Sequence, residues 1–190
     1  MVRAVEAHPR TPGILMSLST FPFPRLVQTW QRLLDAVVDL PVRVTATTGH
    51  ALDSETLRAP PHVRLLAWSD RAELMPDASV VVTHGGHGTT LAALAHGVPV
   101  LVVPLDLSSD QPGIGRAVER AGVGISLRRG ASVAAVRAAL SKLIDDTETR
   151  RRARELGARL REYDGAVAGA EALIAALPPT HRATEPSAPG

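Results

Sequence analysis

The sequence predicts an α/β fold, a Rossmann-like doubly wound parallel sheet of about six strands flanked by helices. Three observations carry that expectation. Short apolar runs such as Val80-Val81-Val82 and Val98-Pro99-Val100-Leu101-Val102-Val103 show no polar alternation, as strands covered on both faces do. These runs alternate with stretches whose apolar residues recur at three- and four-residue spacing, the helical period. Finally, 190 residues with 45% hydrophobic and 21% charged composition are enough for one buried core and lack the signature of disorder.

In chain order, residues 1–12 read as an extension. A domain spanning 13–177 opens with the apolar strand Gly13–Ser17 after a Pro-Gly break. Phe21-Pro22-Phe23-Pro24 forces a loop, and Arg25–Val38 presents Leu26, Trp30, Leu33, Leu34, Val37 and Val38 along one helical face until Pro41 stops it. Further strands are expected at Val42–Thr47, Val63–Ala67, Ser79–Thr83, Val98–Val103 and Gly124–Leu127. Helices are expected at Thr89–His96, Gly115–Ala121 and Ser132–Ile144. The Ala- and Arg-rich stretch Glu148–Leu177 is helical in spacing, with a break placed at Gly165. Residues 178–190, with four prolines and no apolar periodicity, read as a disordered tail.

Composition removes several function classes. No cysteine is present, which excludes a disulfide scaffold, a thiolate metal site and a cysteine nucleophile. The balance of 21 Lys and Arg against 19 Asp and Glu gives a net charge of +2. The only basic cluster, Arg150, Arg151, Arg152 and Arg154, has no interleaved aromatic and reads as a solvated helix face, so nucleic acid is not an expected partner. No apolar run approaches the roughly 20 residues needed to span a bilayer, and Met1–Pro12 has no signal-peptide core. A cytoplasmic protein is the expectation.

In doubly wound folds ligands lie beyond the carboxyl ends of the strands, which directs attention to three loops. The stretch Val80-Val-Val-Thr-His84-Gly85-Gly86-His87-Gly88-Thr89-Thr90 runs from a buried strand through glycines into a helix. Glycines allow positive φ and close backbone approach, and a helix start offers free N–H groups and the positive dipole end to an anion. Thr89, Thr90 and His84 add donors for a phosphate; a tight turn capped by Thr89 accounts for the same residues without a ligand. The His84 and His87 spacing is not that of a zinc pair and has no third ligand, so no metal is expected. Trp68, after the strand Val63–Ala67, offers a face to a flat base or fills the core. Asp110 and Gln111, after the loop Pro104–Ser109, offer several hydrogen-bonding atoms to vicinal hydroxyls or cap a helix. The Walker-type, dinucleotide and Gly-x-Ser-x-Gly motifs are all missing.

Taken together, Val63-Arg-Leu-Leu-Ala-Trp68, Glu73-Leu-Met-Pro76, Asp77-Ala-Ser-Val-Val-Val-Thr-His84-Gly-Gly-His-Gly-Thr-Thr90, His96-Gly-Val-Pro99, Val103-Pro104, Asp110-Gln111-Pro112 and Gly122-Val-Gly124 resemble one family. That family is the carboxy-terminal, donor-binding domain of family 1 glycosyltransferases with the two-domain GT-B fold, the UDP-glycosyltransferase and antibiotic-glycosyltransferase group. Weaker likeness reaches Leu15–Thr20. The resemblance implies that Trp68 stacks on the nucleobase, that Thr20, His84, Gly86, His87, Gly88 and Thr89 hold the diphosphate, and that Asp110 and Gln111 contact the sugar. It implies a UDP-sugar or dTDP-sugar donor and no metal. Ala92 stands where many members have a ribose-binding Glu and Arg71 where many have Gln, which weakens the case for a UDP-sugar and leaves room for a dTDP-deoxysugar; Ser19 replaces the usual Gly, and the loop Pro104–Asp110 is about two residues longer than the common form. The acceptor domain and its catalytic His have no counterpart, since His8 precedes the first strand and His50, His62 and His96 read as loop or helix-surface residues. The resemblance therefore implies a chain inactive alone, paired with an acceptor-binding domain or subunit. A non-catalytic nucleotide-sugar binding module and a nucleotide-sugar epimerase of related shape are the competing readings.

Overall fold

The computed structural model describes residues 11–50 and 52–177. His8, most of the expected 1–12 extension and the 178–190 tail lie outside the described residues. The strands are β1 (Gly13–Ser17), β2 (Arg43–Thr47), β3 (Val63–Leu66), β4 (Val80–Thr83), β5 (Val100–Val102) and β6 (Gly124–Ser126). They form one sheet in the order β3-β2-β1-β4-β5-β6, with every pair parallel. The helices are α1 (Leu26–Val37), α2 (Arg71–Leu74), α3 (His87–Ala95), α4 (Gln111–Ala121), α5 (Val133–Asp145), α6 (Thr147–Glu162) and α7 (Gly165–Ala176).

The unalternated apolar runs follow from two cores, one on each face of the sheet. Ile14 and Met16, Val80 and Val82, and Leu101 and Val103 pack beneath α1 and α5 with the fully buried Trp30, Leu33, Leu34 and Leu140. Leu15, Val81, Val100 and Val102 point the other way, toward Ala93 and Leu94 of α3, Val118 of α4 and Ala153 of α6. In the central strands β1, β4 and β5 successive side chains alternate between two apolar layers, so Ile14–Met16, Val80–Val82 and Val100–Val102 are apolar at every position. Gly157 lets α6 approach α3 closely: a Cβ there would lie 2.5 Å from the Leu94 carbonyl oxygen and 3.0 Å from the Gly97 nitrogen.

Several helix boundaries differ from expectation. Helix α4 begins at Gln111, four residues before Gly115, because Pro112 falls in the first turn, where its missing N–H costs nothing. Helix α3 begins at His87 with Gly86 at its cap position, so Thr89 lies inside the first turn and is not the cap. The break near Gly165 is made by Asp164, whose carboxylate accepts from the Ala166 and Val167 amides, and Gly165 opens α7 instead of interrupting it. Helix α2 is an addition that the periodicity did not show.

The arginine cluster is only partly a solvated face. Arg151 and Arg152 pair with Glu148, and Arg151 also with Glu155, whereas Arg150 turns back to the Ile144 carbonyl at the end of α5. Arg137 donates to the carbonyls of Ala36 and Asp35, 3.1 Å each, and His62 stands 3.0 Å from that of Val37, so two side chains satisfy the last turn of α1. Among the described residues no helix is long and apolar enough to cross a membrane.

Candidate functional site

The strand order reverses direction between β1 and β4, the point at which a doubly wound sheet opens a crevice beyond its carboxyl ends. Ile14, Leu15 and Met16 pair in register with Val80, Val81 and Val82, so the chain leaves both strands at the same level, about 5 Å apart. The loop Ser17–Thr20 and the glycine turn after Thr83 are therefore neighbours. On the far side, the ends of β2 and β3 bring Thr47, Gly49 and the segment Ala67–Asp70 to the same edge. Together with Ser17, Leu18, Ser19 and Thr20 they line a cleft of about 180 Å³. That is below the roughly 300–1,000 Å³ of a complete small-molecule site, the size of one wall of such a site.

Trp68 lines this cleft and is 69% exposed, which removes the core-aromatic alternative. Thr20 is exposed beside it. The loop after β2 approaches because Gly49 adopts a positive φ of 75°, with a Cβ there meeting the Thr20 Cα at 3.2 Å. Gly49, Ser17 and Ser69 were not singled out from sequence. The polar Thr48-Gly49 pair after a strand was the available signal, yet only the β1–β2 register places it against Thr20.

Across the switch point, the glycine turn is shaped by contacts that exclude side chains. Gly85 has φ 93°, and a Cβ there would lie 2.9 Å from the Gln111 carbonyl oxygen. Its amide donates to the Thr83 hydroxyl at 3.2 Å. Gly86 leaves room for the His84 imidazole: a Cβ would stand 2.7 Å from its Cε1 and 2.8 Å from its Nε2. Gly88 faces open space. His84 Nδ1 is buried without a partner among the described residues, as is the Thr90 hydroxyl. Burial pushes the His84 imidazole below its ordinary value, with the Asp110 carboxylate partly offsetting this. Thr89 is buried in the first turn of α3.

The β5–α4 loop completes the edge. The Gln111 side chain is 3% exposed, and its amide oxygen accepts from the Leu105 and Asp106 amides at 2.7 and 3.0 Å. This residue, expected on the sugar, spends its oxygen on fixing the loop. Asp106 is tied to Ser108 through backbone and side chain. Asp110 stays at the surface with its Oδ2 2.9 Å from His87 Nδ1, so the His87 imidazole, expected on the diphosphate, faces a carboxylate.

The sequence-derived residues thus divide into an aromatic cleft with Trp68 and Thr20, an anion cradle with His84, Gly86, Gly88 and the amide of Thr89, and the surface pair of His87 and Asp110. The cradle joins the N–H groups of a helix start and the helix dipole to an imidazole, a combination that stabilises negative charge. Among the described residues no group of three or more His, Asp or Glu side chains gathers as a metal-ligand set.

Residues 31–163 match the family described as erythromycin biosynthesis protein CIII-like, C-terminal domain. The elloramycin glycosyltransferase ElmGT of Streptomyces olivaceus is 64% identical over 47 residues, 25% of this chain and 12% of that protein. A zeaxanthin glucosyltransferase of Pseudescherichia vulneris is 30% identical over 183 residues, 89% of this chain and 44% of that one. The crystal structure of CalG4, the calicheamicin glycosyltransferase, superposes with a TM-score of 0.77 at 27% identity, covering 90% of this chain and 44% of that one. The chain spans less than half the length of these proteins.

Proposed function

The chain belongs to the family of erythromycin biosynthesis protein CIII-like C-terminal domains, the carboxy-terminal, donor-binding half of GT-B glycosyltransferases, and on that premise we propose that it binds a nucleoside-diphosphate sugar for transfer to an acceptor hydroxyl. The observation that carries the proposal is the placement of an exposed tryptophan cleft and a glycine-lined helix start on opposite sides of one switch point. In this reading the Trp68 indole stacks on the base, and the diphosphate lies over Thr20 and the amides of Gly86, Gly88 and Thr89. His84 donates to the departing diphosphate as negative charge builds on it, so imidazole and backbone N–H groups do the work a metal does elsewhere. Asp110, and the amide nitrogen of Gln111, meet the sugar.

Ala92 and Arg71 in place of ribose-binding side chains support a dTDP-sugar over a UDP-sugar. The catalytic base and acceptor pocket belong to a second half, supplied by another domain or subunit. Helix α7 supports such a partner: no residue of it is buried, and Leu173 is 72% exposed. The names of the relatives favour transfer over a sensing module or an epimerase. Calorimetric titration of the chain with UDP and dTDP, followed by a transfer assay after adding an acceptor half from a glycosyltransferase of this family, tests the reading. Tighter dTDP binding and acceptor-dependent sugar transfer are expected; a strong UDP preference sinks the donor assignment, and binding without transfer sinks the enzymatic one.

A further inference from the structure

Among the described helices longer than one turn, three have aspartate at the cap position, and two of these use it as a cap. Asp146 accepts from the Glu148 and Thr149 amides at 3.0 Å each, and Asp164 from the Ala166 and Val167 amides at 3.0 and 3.1 Å. Asp110, at the head of α4, makes no cap hydrogen bond. Its backbone is helical (φ −72°, ψ −14°), whereas Asp146 and Asp164 are extended, and an extended cap residue is what aims a carboxylate at the following amides. Pro112, in the first turn, has no N–H to give. The Asp110 carboxylate is thereby released from its own helix and held by His87, the first residue of α3, at 2.9 Å.

We propose that His87 is a positioning residue for the sugar subsite: it turns the Asp110 carboxylate toward the open edge of the cleft, with Oδ2 on the imidazole and Oδ1 left to accept sugar hydroxyls. The proposal rests on the donor-binding reading above. Stability does not account for the pair, because its side chains are 67% and 58% exposed and exposed ion pairs contribute little. Location does. Asp110 lies close enough to act electrostatically on His84, and a bare carboxylate beside a diphosphate cradle would repel the anion. An imidazole bridging the β4–α3 turn and the β5–α4 loop engages Oδ2 while leaving Oδ1 as an acceptor for neutral hydroxyls. Gln111, anchored to Leu105 and Asp106, fixes the loop from which Asp110 projects.

The test compares the affinity of the full chain for dTDP-glucose and for dTDP by calorimetry, in about 0.5 M salt to screen the uncovered charge. In the wild type the sugar adds affinity. His87→Ala is expected to reduce the ratio of the two affinities about 3- to 10-fold, the effect of one hydrogen bond to a charged group poorly held, with dTDP binding unchanged. His87→Asn, which returns an N–H near the position of Nδ1, restores the ratio, and His87→Ala combined with Asp110→Ala is no worse than Asp110→Ala alone. An unchanged ratio in His87→Ala, equal weakening of both ligands, no rescue by Asn, or a wild type in which the sugar adds nothing overturns the positioning role while leaving nucleotide binding intact. Failure of the wild type to bind either ligand overturns the donor reading, and this inference with it.

Discussion

Gly86→Ala separates the shape of the anion cradle from the stability of the fold. The added Cβ would stand 2.7 Å from His84 Cε1 and 2.8 Å from Nε2, where ordinary contact begins at 3.4 Å, so the imidazole must retreat by about 0.7 Å (3.4 − 2.7). Gly86 has φ −68° and ψ 137°, a conformation open to any residue, and no backbone strain accompanies the change. Loss of glycine at a cap position costs under about 1 kcal/mol, which in a domain of this size lowers the Tm by no more than about 4 °C. Displacing a donor from a charged phosphate costs about 1.5–3 kcal/mol, a 10- to 150-fold loss in nucleotide affinity. Calorimetry with dTDP and a thermal melt on the same sample measure both quantities. Unchanged affinity together with the small Tm shift refutes the placement of His84 on the diphosphate.

Trp68→Ala, removing a ring that is 69% exposed, leaves the Tm within about 2 °C but weakens nucleotide binding by about 1–3 kcal/mol; quenching of tryptophan fluorescence on titration, with buried Trp30 as spectator, reports it directly. His84 is held below its ordinary value, so the unfolded chain takes up the proton first on acidification. Its contribution is complete above roughly pH 6.5 and declines as pH falls below that, and His84→Asn flattens the pH dependence of the melt between about pH 7 and 5. Glu148, brought down to about 2 by Arg151 and Arg152, acts in a separate, more acidic window. Gly157→Ala gains roughly 1 kcal/mol of helix propensity yet drives a methyl into the Leu94 carbonyl, an overpacking that costs about 1–3 kcal/mol; a net loss of up to about 2 kcal/mol in urea unfolding is expected, and a rise in stability contradicts the close α3–α6 packing.

Features carried by local pattern were legible in the sequence. The strand positions, the two-sided burial of Val80–Val82 and the strand-glycine-helix sequence around His84 all follow from residues adjacent in the chain. The helix expected at Gly115–Ala121 starts earlier, at Gln111, because Pro112 sits in the first turn, where a missing N–H is tolerated. The share of Gly49 in the cleft depends on the β1–β2 register, and the His87–Asp110 pair joins residues brought together only when β5 pairs with β4. Gln111 has a contact that residue type does not reveal: the loop amides of Leu105 and Asp106 take its side-chain oxygen. Exposure, which separates a stacking Trp68 from a buried Trp30, is a tertiary property that spacing does not encode.

Backbone amide chemical-shift mapping of the ¹⁵N-labelled chain during titration with dTDP tests the donor site most directly. The largest shifts are predicted at Ser17–Thr20, Trp68 and Gly85–Thr89, along the carboxyl edge on both sides of the switch point. Shifts confined to the opposite end of the sheet, around the cavity lined by His96, Arg150 and Arg154, or no saturable shifts at all, would contradict it.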